Sequence, residues 1–278
     1  MKTCLVFGAS GAIGRFLVTR LLDAGERVFA VSRRAQADAQ TNLQWIEGSL
    51  ESGFVLPDGI DAIFSCGPLD AFAHWYERTP TGAARVVAIG SMSADSKRDS
   101  IDAAERGVAS RLADAEGRVL RAAASRNAAA TLLRPTLVYG AGRDRSLAPI
   151  ARFARRWRVF PRIVGACGLR QPVHAEDLAH ACIAASSSAR TAGRIYEVGG
   201  GERLSFSAMI ERTCRSLDVR CLALPVPLAA LRVLAPSRAA AIARLTRDLV
   251  ADNADAARDF GWSPRAFAPE AARWPRDA

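Results

Sequence analysis

Apolar positions fall into two rhythms at the start of this chain. Cys4-Leu5-Val6-Phe7 is a short unbroken apolar run, the pattern of a strand buried on both faces of a parallel sheet. Ile13, Phe16, Leu17, Leu21 and Leu22 then recur at spacings of three and four, which predicts a helix closed near Gly25 by a glycine cap. Arg27 to Val31 returns to the strand pattern. The unit is β-α-β, and it predicts an α/β protein built on a doubly wound parallel sheet.

The turn between the first strand and the helix reads Gly8-Ala9-Ser10-Gly11-Ala12-Ile13-Gly14. In this context Gly8 permits the tight turn, Gly11 lets the main chain approach a pyrophosphate, and Gly14 lets the helix pack close to the strand. The helix start then offers amides to phosphate oxygens. The spacing therefore predicts a dinucleotide site of the Rossmann type; a plain glycine-rich turn is the alternative. The second strand ends Val31-Ser32-Arg33-Arg34 with no carboxylate for a ribose 2′-OH, and Arg15 follows Gly14. That pattern favours NADP(H), with NAD(H) as the alternative and surface charge as the bland reading of Arg33 and Arg34.

Composition narrows the class. The chain has 278 residues, 50% of them apolar and 24% charged, which excludes a disordered or collagen-like protein. No apolar stretch reaches the roughly 20 residues that span a bilayer; the best, Leu222 to Leu234, is short and holds Pro225 and Pro227. The first residues run into glycines rather than a long apolar core, so no signal peptide is expected. Net charge is +10, yet Lys2 and Lys97 are the only lysines, the arginine-rich, alanine-rich bias of GC-rich coding. With no base-stacking motif, nucleic acid is not an expected partner, while an anionic small molecule is. Cys4, Cys66, Cys167, Cys182, Cys214 and Cys221 form no CxxC pair, and His74, His174 and His180 are scattered, so no metal site is expected. A reducing cytoplasm fits that cysteine usage.

Further segments resemble the extended and atypical short-chain dehydrogenase/reductases, the NAD-dependent epimerase/dehydratase superfamily. Val86 to Ser93 is similar to that family's fifth strand and catalytic serine, here Ser91. Leu133-Arg134-Pro135-Thr136-Leu137-Val138-Tyr139-Gly140 is similar to its sixth strand, whose Arg-Pro turn lies beside the nicotinamide. Gln171 to Ala179 and Ile195 to Gly200 resemble the family's next helix entry and strand. The resemblance implies a cofactor set of Gly8, Ser10, Gly11, Ala12, Ile13, Gly14, Arg15, Arg33, Arg34, Cys66, Gly67, Ser91 and Pro135. It implies a Rossmann core from residues 1–142 with 172–198, and a smaller C-terminal substrate lobe from 143–171 with 199–278. A homodimer is compatible with it.

In that family a tyrosine and a lysine four residues apart on one helix carry the proton transfer. Here the three tyrosines Tyr76, Tyr139 and Tyr196 are followed four residues on by Pro80, Arg143 and Gly200. The helix is expected over Ser100–Arg126. Its alignment places the pair at Val108 and Leu112, or at Gly107 and Arg111, and neither option supplies a phenol. Val108, Leu112, Ala115 and Val119 also read as a plain buried stripe. Two candidates remain: Ser91, orienting a substrate or capping the next turn, and Tyr139, a borrowed proton donor or a packing residue. Lys97 reads as exposed.

Between Arg143 and Arg170 the chain is strongly basic, with Phe153, Trp157 and Phe160 interleaved. Arg143 and Arg170 are the candidate substrate ligands, since a guanidinium fork suits phosphate. The alternatives are a short amphipathic helix with Phe153 and Trp157 inward, or contact with an anionic membrane surface. Leu245 to Asn253 and Asp259 to Phe267 are similar to tails of sugar-nucleotide epimerase-like proteins, and to the nucleotide-binding accessory subunit of respiratory complex I. Two functions are expected on these grounds. One is an NADP(H)-dependent oxidoreductase or epimerase on a sugar-nucleotide or other phosphorylated substrate, with a non-standard proton donor. The other is a non-catalytic NADP(H)-binding scaffold or sensor.

Overall fold

Short apolar runs alternating with amphipathic helices bury both sides of their strands when the strands lie parallel and the helices cover each face. The computed structural model describes residues 1–34, 40–142, 147–234, 236–270 and 274. It begins β1 (Thr3–Phe7), α1 (Gly14–Asp23), β2 (Arg27–Ser32), β3 (Leu43–Glu47), β4 (Ala62–Ser65), α2 (Leu69–Arg78) and β5 (Arg85–Ile89). It continues with α3 (Ser93–Ser96), α4 (Ala103–Ala124), β6 (Ala129–Pro135), β7 (Val138–Tyr139), α5 (Ala148–Trp157) and β8 (Val159–Val164). Next come β9 (Leu169–Arg170), β10 (Val173–His174), α6 (Ala175–Ser187), β11 (Arg194–Val198) and β12 (Leu204–Ser205). The described elements end with α7 (Phe206–Arg215), β13 (Leu222–Pro227), α8 (Leu228–Leu234), α9 (Ala239–Ala243) and α10 (Ala254–Phe260).

Seven strands make one parallel sheet in the order β3-β2-β1-β4-β5-β6-β11. Leu5 lies between Phe29 and Ile63, and successive β1 side chains alternate between the faces. Cys4 and Val6 enter a core with α1 and α6, through Leu17, Leu21, Leu178 and Cys182. Leu5 and Phe7 enter the opposite core with α2 and α4, through Phe72, Tyr76, Ala115 and Val119. The sheet is doubly wound. The helix expected over 100–126 is α4, which starts three residues later because the Asp102 carboxylate accepts the Ala104 N–H at 2.8 Å and caps it.

A third core lies apart from the sheet and gathers Leu147, Ala151, Ala154, Phe160, Met209, Ile210, Phe267 and Trp274, with Tyr139 at its edge. Here one expectation is reversed. Phe153 and Trp157 face solvent, and α5 packs through Ala148, Ala151 and Ala154 instead. The helix needs a close approach to β8, which small side chains allow and aromatic ones would block. It ends at Arg158, held in the left-handed region at φ 58°, from which β8 departs.

Candidate active site

The glycine turn sits at the carboxyl end of β1, where the strand order reverses between β2 and β4. Gly8 has φ 67°, and a Cβ there would lie 2.9 Å from the Cys66 carbonyl carbon and 3.0 Å from the Gly67 nitrogen. Thus Cys66 and Gly67, at the end of β4, form the opposite lip of the same crevice. A Cβ on Gly14 would overlap the Gly8 carbonyl oxygen and come within 2.7 Å of Ala9 Cα. Gly11 closes the turn, its N–H donating to the Gly8 carbonyl at 2.9 Å. Its own Cβ would stand 2.9 Å from that same oxygen, so tight turn closure is a second reason for glycine here. Helix α1 then starts with no side-chain cap at Ile13 and no acidic residue in its first turn. An uncapped helix start above a glycine cradle is an anion site.

Beside this turn opens a cleft of about 800 Å³, whose lining includes Ser10, Arg15, Ser32, Arg33, Arg34 and Trp45. No carboxylate lines it among the described residues. Ser32 organises its floor: its hydroxyl lies 3.5 Å from the Ser10 hydroxyl and accepts the Arg34 N–H at 3.4 Å. Arg15 reaches across to donate to the Ala141 carbonyl at 3.2 Å, and Arg33 and Arg34 are exposed at the rim. The Trp45 indole N–H meets no acceptor among the described residues. A cradle that any Cβ would fill, a cationic rim and a spare donor together fit a dinucleotide with its adenosine half over Ser32.

Further along the sheet edge, Ser91 follows β5 and its hydroxyl accepts the N–H of Ser93, the first residue of α3, at 3.1 Å. Its own proton is still available to donate. The Met92 N–H donates to the Pro135 carbonyl at 3.1 Å and ties the β5 and β6 loops together. Arg134 does not point outward. It grips Glu116 through Nε to Oε1 at 2.7 Å and Nη2 to Oε2 at 2.5 Å, and its remaining nitrogen pairs with Asp95. The Glu116 carboxylate beside it raises the guanidinium's pKa further. Sequence reasoning missed this triad, although a glutamate inside the stripe Val108, Leu112, Ala115, Val119 signals a buried acid that needs a partner.

The positions expected for proton transfer are Val108 and Leu112, or Gly107 and Arg111, and α4 contains neither tyrosine nor lysine. Tyr139 is buried at 1% exposure. Its hydroxyl accepts the Ala268 N–H at 3.1 Å and faces the Ala266 carbonyl at 3.5 Å, and burial pushes its pKa up. Those contacts favour the packing reading over the donor reading. Lys97 is half-buried rather than exposed: it lies 3.9 Å from Glu105, which Arg244 also pairs, and burial together with Arg244 lowers its pKa.

Arg170 corrects the expected substrate role. It is 6% exposed and spends its guanidinium on the carbonyls of Leu169, Arg247 and Arg244, at 2.6–2.8 Å. Those bonds anchor the segment before Asp248 to β9. Arg143 lies outside the described residues. Among the described residues no cluster of histidine, cysteine, aspartate or glutamate has metal-binding geometry, and no helix is long and apolar enough to cross a membrane.

Residues 4–93, which hold the glycine turn, Cys66 and Ser91, match the NAD dependent epimerase/dehydratase family. The match stops short of half the chain. The chain as a whole shares its fold with solved structures. Over 96% of its length it superposes on 95% of MoeE5, solved with UDP-glucuronic acid and NAD, at a TM-score of 0.72 and 21% identity. The UDP-glucuronic acid 4-epimerase of Bacillus cereus, solved with NAD, matches 95% of the chain over 94% of its own, at TM-score 0.71 and 14% identity. In sequence, the chain is 29% identical over 227 residues to the mitochondrial NADH dehydrogenase [ubiquinone] 1 alpha subcomplex subunit 9 of Arabidopsis thaliana. That alignment covers 70% of this chain and 53% of the relative, so the chain spans about half the length of the curated protein it matches.

Proposed function

We propose that the protein binds NADP(H) in the cleft between the glycine turn and Ser32, and that this binding is its core function. The observation that carries the reading is the cationic rim of Arg15, Arg33 and Arg34 around Ser10 and Ser32, which holds no carboxylate among the described residues. In that reading the α1 amides hold the pyrophosphate, Arg33 and Arg34 hold the 2′-phosphate, and Cys66 and Gly67 face the adenosine side. Residues 1–142 with 172–198 would then form the dinucleotide unit and 143–171 with 199–278 the second lobe, with Ala256 and Trp262 of the latter packed back on the sheet core. Bound there, the nicotinamide would supply hydride exchange.

What the chain's own groups do at that end supports a holding role over epimerase or dehydratase turnover. Ser91 can orient a carbonyl or hydroxyl by donating its proton, but no phenol or amine on α4 stands ready to move one. Arg134 is engaged by both Glu116 and Asp95 beneath the site. Likeness to sugar-nucleotide enzymes across nearly their whole length favours a second reading, an oxidoreductase or epimerase that takes its proton from elsewhere. Calorimetric titration with NADP⁺ and NAD⁺ tests the first proposal, and equal or stronger NAD⁺ binding overturns the assignment. Turnover of UDP-sugars by the purified protein, lost in Ser91→Ala, would establish the enzyme instead.

A further inference from the structure

Among the described residues, seven of the eleven large apolar side chains exposed to solvent lie on one substructure formed by α5, β8, β13 and α8. They include Trp157 at 60%, Leu222 at 65%, and Val233 and Leu234 at 78% and 79% exposure. β8 and β13 form a parallel two-stranded ribbon with Leu222 beside Val159, Leu224 beside Pro161 and Val226 beside Ile163. Alternation puts those six residues on one face, while Phe160 and Ala223 turn the other way into the third core. The outer face of the ribbon is therefore apolar at every position. Trp157 precedes Arg158, whose carbonyl accepts the Leu222 N–H at 2.8 Å, so the indole flanks the ribbon's start. α8 continues from its end.

The same segments and their flanks are rich in arginine. Residues 147–170 and 219–247 hold 11 arginines and no aspartate or glutamate. Removing those 11 from the chain's 38 basic residues leaves 27 against 28 acidic ones, so these two stretches account for the whole positive excess. Arg152, Arg156, Arg158, Arg220 and Arg232 are exposed on these segments and their flanks, and Arg162 is exposed on the other side of the ribbon.

We propose that this face docks on an anionic lipid bilayer, with Trp157, Leu222 and Leu224 entering the headgroup–acyl boundary and the arginines pairing with lipid phosphates. An apolar centre inside a cationic rim is complementary to that surface on both counts. A second copy would bring like charge against like, and a nucleic acid gains nothing from an aliphatic, proline-containing ribbon. The inference is independent of whether a dinucleotide binds.

Flotation of the full chain with vesicles tests it, using phosphatidylcholine alone and phosphatidylcholine mixed with phosphatidylglycerol. The expected result is co-flotation with the mixed vesicles only, weakened by salt. Arg156→Gln combined with Arg220→Gln should lower partitioning about 25-fold, at roughly fivefold per arginine. Leu222→Ser with Leu224→Ser should abolish it while leaving the melting temperature unchanged. Brominated lipid should quench the wild-type fluorescence more than that of Trp157→Phe. The proposal is overturned if no vesicle carries the protein, or if both double variants float like wild type. It is also overturned if self-association or retention on DNA depends on Leu222 and Leu224 while vesicles do not bind.

Discussion

A single methyl group decides whether the glycine turn can exist. Gly14→Ala would drive its Cβ into the Gly8 carbonyl, so α1 must lift from β1, at a cost of about 3 kcal/mol. Thermal melts should show that loss, and titration should show dinucleotide uptake gone. At the rim, the side chains are exposed and their ionic contacts are screened. Replacing Arg33 and Arg34 together by alanine should weaken NADP⁺ binding by about tenfold and leave NAD⁺ within a small factor. Parallel losses for both nucleotides would place the two arginines outside the 2′-phosphate site. Tyr139→Phe removes a phenol whose hydroxyl, among the described residues, bonds the 266–268 backbone, so it should cost about 1 kcal/mol of stability and no turnover on any substrate found.

The elements are legible in the sequence where burial follows a simple period. β1, α1 and β2 come from the apolar run, the three-and-four spacing and the glycine cap, and α4 from its stripe. The rest is hidden for identifiable reasons. α5 reads as an aromatic-faced helix because bulk normally marks the buried side, yet its alanines face inward to let β8 approach. Arg170 reads as a phosphate ligand because a sequence does not say which carbonyls lie within reach of a guanidinium. Glu116 is inconspicuous because its partner Arg134 is on another element, 18 residues away. That pair joins α4 to β6 under the Ser91 loop, and Glu116 is 2% exposed. Glu116→Gln leaves a half-buried guanidinium with only Asp95 beside it, and should destabilise the fold by about 3 kcal/mol in denaturant titration.

At the scale of the molecule, the sheet and the third core are joined by ionic and backbone contacts that converge on α6. Arg20 from α1 and Arg265 from the tail both pair with Glu176, and Arg265 also binds Asp177 at 2.8 Å. Hydrogen bonds from Arg20, then from Arg265, hold the Glu176 carboxyl below its ordinary range. A depressed folded pKa adds stability above the unfolded value, about 4.3, and the gain fades as the pH falls through the lower folded one. Acid titration of wild type should therefore show a loss in that window which Glu176→Gln does not share. An identical acid slope in both proteins would rule out the clasp.

The same tail passes over both cores. Trp262 packs against the sheet and donates its indole N–H to the Gly199 carbonyl at 3.1 Å, while Phe267 sits in the third core and Trp274 donates there to Ser216 at 3.0 Å. Such a seam acts as a splint across the joint, so a dinucleotide bound as proposed would come and go through the rim of the crevice instead of by a gaping of the halves. Hydrogen exchange at residues 199–201 and 262–268 should then rise and fall in step, and small-angle scattering should record the same radius of gyration with and without ligand.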